Sequence, residues 1–274
     1  MEYGRKLDIR YEEGNILRAE FLNQQADETT DFRRYLFSDY PDGIVSGCTL
    51  INENDKHFFS EGLVKLSGEL YTVGRITEEM ILNDVRELDG SKLSIDTMYY
   101  LGFVPSEQIR SDHQEASPIT VRSLQLTALR EKIDDAVIAA KFQISAEKIQ
   151  FAEKLEDHTG KKFSTRYGDY SIAGGKAVSP DITLLIKDAI LNKDIKDHLD
   201  TALFMACANG ERLSQEALRF YCSSKLKKSV DWDDNIISNL LTSIGKTISF
   251  DAAPEKSAPA TTESPKSGVF DPNL

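Results

Sequence analysis

The pattern of apolar residues in this 274-residue chain changes its period near Pro118. Before it, short runs of β-branched and aromatic residues are cut every few positions by glycine or by turn residues. After it, apolar residues recur at gaps of three and four. A break of that kind predicts an α+β fold built in sequence order. We expect a β-rich, β-sandwich-like domain over residues 1–115 with a lead helix, an all-α domain over 117–250, and a disordered tail over 252–274.

The β-rich zone opens with the alternating Leu7-Asp8-Ile9-Arg10-Tyr11, the pattern of a strand with one wet face. Residues 16–37 follow, with Leu17, Phe21, Gln25, Phe32 and Leu36 near helical spacing and no Pro or Gly between them. The spacing predicts a helix of about twenty residues, with a break near Thr29-Thr30. Asp39-Tyr40-Pro41-Asp42-Gly43 reads as a turn. A meander of strands is expected over residues 44–73, turning at Asn52-Glu53-Asn54-Asp55 and at Ser67-Gly68. A short helix at 78–85 and strands at 93–96 and 98–101 complete the zone.

From Val121 the apolar positions Leu124, Leu126, Leu129, Ile133, Val137, Ala140 and Ile144 form one stripe at gaps of mostly three and four. That stripe predicts a long helix with an oligomerising seam. A second helix is expected from a Ser145 cap to Gly160, and a glycine-rich connector over 161–178. Ser179-Pro180-Asp181 then opens a helix, and further helices fit 197–208, 214–224 and 231–248. The tail carries Pro254, Pro259 and Pro265 in a polar stretch, then regains apolar character at Val269, Phe270 and Leu274. Those three residues suit a short docking peptide on a leash.

Composition narrows the function classes. Lys and Arg number 33 against 45 Asp and Glu, a formal charge of −12. An acid excess disfavours binding to nucleic-acid phosphates or to an anionic membrane surface. No run approaches the ~18 apolar residues of a membrane span, and the charged start lacks a signal core, so a cytoplasmic chain is expected. Cys48, Cys207 and Cys222 form no metal-ligand or redox spacing. Cys207 and Cys222 fall in apolar helical stretches and are expected to be buried hydrophobes.

Motifs for catalysis fail on inspection. A P-loop ending at Gly175-Lys176 would need glycine where Tyr170 stands and a hydroxyl where Ala177 stands. Gly43-Ile44-Val45-Ser46-Gly47 puts its serine one place late for a nucleophile elbow and reads as strand entry. His57, His113, His158 and His198 are scattered, with His158 and His198 expected on charged helix surfaces. Asp134-Asp135 and Asp233-Asp234 are expected on charged helix faces, and Trp232 in packing. The expectation is a non-enzyme with no cofactor and no metal.

The run from Glu12 through Gly14, Leu17 and Phe21 to Gln25 resembles the opening of the TssK-type baseplate adaptor of type VI secretion systems. The run Phe37 through Tyr40-Pro41-Asp42-Gly43-Ile44-Val45-Ser46-Gly47 to Leu50 is similar to phage tail-fibre and receptor-binding attachment modules. Gly62-Leu63-Val64-Lys65-Leu66-Ser67-Gly68-Glu69-Leu70-Tyr71 fits the Gly-aromatic strand that ends such a meander. The resemblance covers about residues 7–74; the chain is much shorter than the family pattern, and its helical half and tail have no matching residues. It implies a structural component that docks on other baseplate or tail proteins. It also implies a homo-oligomer, with a trimer favoured. Interaction residues are expected at Leu17, Phe21 and Gln25, along the seam Leu126, Leu129, Ile133 and Val137, and, for capture of another component, at Val269, Phe270 and Leu274. The alternative is a cytoplasmic adaptor or chaperone that binds partners through the helical domain and the tail.

Overall fold

The computed structural model describes residues 19–54, 56–110, 119–145, 148–192, 197–209 and 212–245. Helix α1 (Ala19–Leu36) runs unbroken through Thr29-Thr30. Strands β1 (Gly43–Gly47), β2 (Leu50–Glu53), β3 (Lys56–Phe59), β4 (Gly62–Leu66) and β5 (Glu69–Val73) occupy the expected stretch, but they do not form one meander: β1 pairs with β4, and β2 and β3 belong to another sheet. Between β4 and β5, Ser67 and Gly68 both have positive φ (51° and 77°), the geometry a two-residue hairpin demands. Asp42 holds this turn, its carboxylate accepting the Ser67 and Gly68 N–H groups at 2.7 and 3.3 Å. Gly47 needs to be glycine: at φ 61° a Cβ would stand 2.0 Å from the Glu61 carbonyl oxygen.

Strand β6 (Ile76–Thr77) leads into α2 (Glu78–Asn83), where the Thr77 hydroxyl caps the helix by accepting the Met80 N–H. Strand β7 (Arg86–Glu87) comes next. Residues 93–96 carry no strand, and strand character resumes in β8 (Met98–Arg110).

Here the structure departs from the expected all-α second half. Residues 121–144 are not a helix but β9 (Ile119–Leu129) and β10 (Val137–Ser145), with Ile133 in the connection between them. Two patterns had merged into a false helical stripe. In β9, Leu124, Leu126 and Ala128 alternate with polar residues. β10 is a central strand buried on nearly every residue, and such a run carries no period of its own. Ser145 ends this strand instead of capping a helix. Short β11 (Lys148–Ile149) and a 3-10 helix, Leu155–Thr159, occupy the second predicted helix, and Gly160 does end the latter. The supposed inter-helix connector holds the hairpin β12 (Tyr170–Ile172) and β13 (Gly175–Ala177).

The strands form sheets ordered β13-β12-β1-β4-β5, β11-β10-β8-β9-β7 and β2-β3-β6. The pairs β1–β12 and β7–β9 are parallel; all others are antiparallel. All three sheets contribute to one apolar core that includes Ile44, Phe59, Val64, Tyr99, Leu101, Phe142 and Phe163. Residues 163–172 stitch the sheets together. Ser164 and Lys141 exchange backbone hydrogen bonds, the Asp169 N–H donates to the Ile138 carbonyl at 2.7 Å, and the Asp169 carbonyl accepts the Ile44 N–H at 2.7 Å.

The helices of the second half begin only at α3 (Pro180–Leu191), followed by α4 (His198–Ala208), α5 (Gln215–Leu226) and α6 (Ile236–Ser243). Asp197 and Ser214 cap α4 and α5 with their side chains. A second core packs these helices through Ile182, Ile186, Leu218, Ile236, Leu240 and Leu241, and Leu155 joins it from the 3-10 helix.

Candidate interaction surfaces

Helix α1 is clamped at its C-terminal end and exposed along the rest of its described surface. Lys65 on β4 reaches the turn that follows the helix, donating to the carbonyls of Phe37 (2.8 Å) and Tyr40 (2.7 Å). A cation close to the C-terminal end of a helix also sits favourably in its dipole. Arg34 pairs with Glu69 on β5. Every residue from 27 to 36 is exposed, and they include Phe32 (66% exposed), Tyr35 (82%) and Leu36 (56%). An isolated helix of this length is marginal in water, because its stability comes from packing an apolar face. Phe21 and Gln25 stand on this helix; Leu17 lies outside the described residues.

A second projection is a two-stranded ribbon. β8 pairs with β10 only up to Phe103, whereas its pairing with β9 continues from Tyr100↔Leu129 out to Arg110↔Ile119. Residues 104–110 and 119–125 therefore extend beyond the sheet with one neighbour each. Two-stranded ribbons are weak alone, and at the base of this one Leu124 packs against the sheet core.

The predicted seam divides. Leu129 and Val137 are buried in the chain itself (3% and 2% exposed), and Leu126 packs partly buried against the sheet core. Ile133 is half-buried in its loop. These residues do not form an exposed helical stripe, so the stalk that was expected to oligomerise through them is absent. Val269, Phe270 and Leu274 lie outside the described residues.

The junction between the two cores carries a polar cluster that the sequence reading missed. His158 and Ser164 are fully buried, with His158 Nδ1 2.8 Å from the Ser164 hydroxyl. Burial, with the Arg166 charge beside it, pushes His158 down to about 4, so the ring is neutral near pH 7. The Thr165 hydroxyl donates to Asp181 at 2.6 Å and bonds the Ser179 hydroxyl at 2.9 Å. Burial raises the Asp181 carboxyl. A serine beside a histidine could suggest nucleophilic chemistry, but both side chains lie inside the junction, where no substrate can reach them. His158 is thus not on the charged helix surface that its sequence neighbourhood predicts. Its burial comes from the fold, since the 3-10 helix that carries it lies between the sheet core and α6.

Two arginines span the same junction. Arg166 donates to the Asp234 carbonyl at 2.6 Å and to its carboxylate at 3.1 Å. Arg212, at the entrance to α5, donates to the carbonyl oxygens of Ile44, Gly47 (3.3 Å) and Ser171 (3.4 Å) and lies 5.2 Å from the Tyr170 ring centre. Neither was legible as a contact in the sequence, because each partner is 40 to 170 residues away.

Among the described residues no group of three or more His, Cys, Asp or Glu could hold a metal ion. Cys48, Cys207 and Cys222 are free and buried, and burial pushes each thiol up to about 11. Cys207 and Cys222 sit in α4 and α5 as buried side chains, as their apolar settings predicted. No helix among the described residues is long and apolar enough to cross a membrane.

No protein-family model matches the chain, and no curated protein matches it. Among solved structures it is similar to a crystal structure of TssK, at 8% identity and TM-score 0.32, over 87% of this chain and 69% of that one. It is also similar to a chain of the type VI secretion TssK-TssF-TssG baseplate subcomplex, at 12% identity and TM-score 0.32, over 89% and 99%. A chain of the type VI secretion baseplate complex matches at 10% identity and TM-score 0.29, over 89% and 100%. Scores near 0.3 describe a loose likeness, too weak to establish a common fold.

Proposed function

We propose that the chain is a structural, non-enzymatic component of a contractile-tail or type VI-like secretion baseplate, docking on other baseplate proteins. The observation that carries this reading is the stretch Phe37–Tyr71, whose residues resemble attachment modules of such assemblies. The order of elements along the chain, α1, the glycine-bounded β1 and then the short strands β2 to β5, agrees with the resemblance, although those strands divide between two sheets. Supporting it is α1, which precedes that stretch and presents Phe32, Tyr35 and Leu36 to solvent. Exposed aromatic side chains on an anchored helix are the usual material of interface hot spots. Self-association, with a trimer favoured, belongs to the same reading and uses α1 in place of the absent seam.

The test is affinity capture of the tagged full chain from its source cells, with bound proteins identified by mass spectrometry. Sheath, tube, spike or baseplate components are expected. The double substitution Phe32→Ala, Tyr35→Ala should reduce their recovery at least tenfold, while changing folding stability by only ~0.5 kcal/mol, the usual scale for surface sites. A capture that returns none of these components sinks the baseplate reading. A strict monomer by light scattering at micromolar concentration sinks its oligomeric part.

A further inference from the structure

A groove runs between two strand edges that lack partners. β5 ends its sheet and is paired, among the described residues, with β4 alone. Across the groove, residues 122–126 of β9 are paired with β8 alone, since β7 takes up only Thr127 and Ala128. The groove is lined on the β5 side by Leu70, Tyr71 and Val73 and on the β9 side by Leu124 and Leu126, with Phe103 beneath. Arg75 and Arg122 stand on its rim. Arg75 is exposed and stacks on Phe58 at 3.3 Å; Arg122 bonds Glu107 at 3.1 Å. Open edges beside alternating apolar side chains are how a sheet accepts an added extended segment.

We propose that this groove is the docking site of residues 267–274 of the same chain, Ser-Gly-Val-Phe-Asp-Pro-Asn-Leu. Three observations select that occupant. Val269 and Phe270 adjoin a carboxylate, Asp271, and so match an apolar trough with an arginine rim; the other such stretch after Gly245, Ile248-Ser249-Phe250-Asp251, has only two residues of tether before it. Its reach suffices: the 23 residues between Gly245 and Val269 can span up to ~75 Å, whereas a body of this size is only about 45 Å across. Tethering also gives the segment an effective concentration near millimolar, well above that of a neighbouring copy at micromolar protein. The inference does not depend on which assembly the chain joins. Docked there, the segment would shield both open edges until a partner strand displaces it.

The test places a photoreactive benzophenone side chain at position 270 of the full chain, with cross-linked peptides mapped by mass spectrometry after irradiation. Adducts to residues 70–76 or 122–126 are expected within single chains, at a yield independent of protein concentration. The charge reversal Arg75→Glu, Arg122→Glu should lower that yield about fivefold, and adding Asp271→Arg should restore it. Both arginines are exposed, and circular dichroism of each variant checks that the fold is intact. Adducts that join two chains overturn the proposal in favour of a second copy as donor. Adducts scattered over the surface, or none in the groove, overturn it outright.

Discussion

The sheet core and the helical core are built from different kinds of contact. The sheet core joins residues far apart in sequence: Ile44 pairs with Tyr170, and the Tyr170 hydroxyl donates to the Cys48 carbonyl at 2.7 Å. The helical core is closed by neighbours in sequence, α3 on α4, α4 on α5 and α5 on α6. Each helix brings its own start signal, but each strand depends on partners elsewhere. Local pattern therefore finds helices with a start signal and strands bounded by glycine turns, but it cannot tell a buried strand from a helix.

The sharpest way to break this comparison is to open each core separately. Phe163 is fully buried, with ring centres of Phe59, Phe142 and Phe151 at 5.3, 5.7 and 5.0 Å. Phe163→Ala is expected to cost about 3–5 kcal/mol, and Leu240→Ala on α6 about 2–5 kcal/mol. If the cores unfold together, both variants shift one common transition in urea, seen alike by circular dichroism and by Trp232 fluorescence. If they are independent, Leu240→Ala moves the Trp232 signal alone, because Trp232 packs against the helical core.

The next effect in size lies at the junction. His158 folds neutral, held down at about 4, whereas the unfolded chain binds a proton near 6.5. The unfolded state therefore holds more protons between those values. The stability from a neutral His158 is complete above about pH 6.5 and is lost as pH falls towards 4, on the order of 3 kcal/mol in all. Urea midpoints at pH 7 and pH 4.5 measure the slope, and His158→Gln should flatten it. An unchanged slope in that variant would assign the acid sensitivity to other groups.

The smallest expected effect tests the clasp between the cores. Arg212→Met keeps the length of the side chain but leaves the carbonyls of Ile44, Gly47 and Ser171 without their donor, a loss of about 2 kcal/mol. If the junction couples the cores, this variant should also split one unfolding transition into two. A single transition that merely shifts would mean the buried apolar contacts, not Arg212, hold the cores together.

Much of the first half was legible in the sequence. The Ser67-Gly68 turn, the Gly43 strand entry, α1 and the helix at 78–83 follow from glycine, proline and periodicity. The helices opened by Pro180 at the first turn and by the capping side chains of Asp197 and Ser214 were equally plain, because these signals act within three residues of themselves. Residues 121–145 were misread for a physical reason. A strand buried on both faces looks the same as a buried helix until its neighbours β8 and β11 are known. The candidate surfaces divide likewise: Phe32 and Leu36 were visible as a helical stripe, whereas the open edges of β5 and β9 exist only once the sheet order is fixed.

By itself, then, the sequence determined the local conformations: turns where φ must be positive, helices where a cap meets a 3.6-residue period, an acidic chain without metal-ligand spacing. Only the tertiary structure decided which apolar residues are core and which face solvent. It sent Leu129, Val137 and His158 inward and left Phe32 and Tyr35 outside. Burial is set by which distant segment arrives to cover a side chain, and no residue's own neighbourhood in the sequence records that arrival.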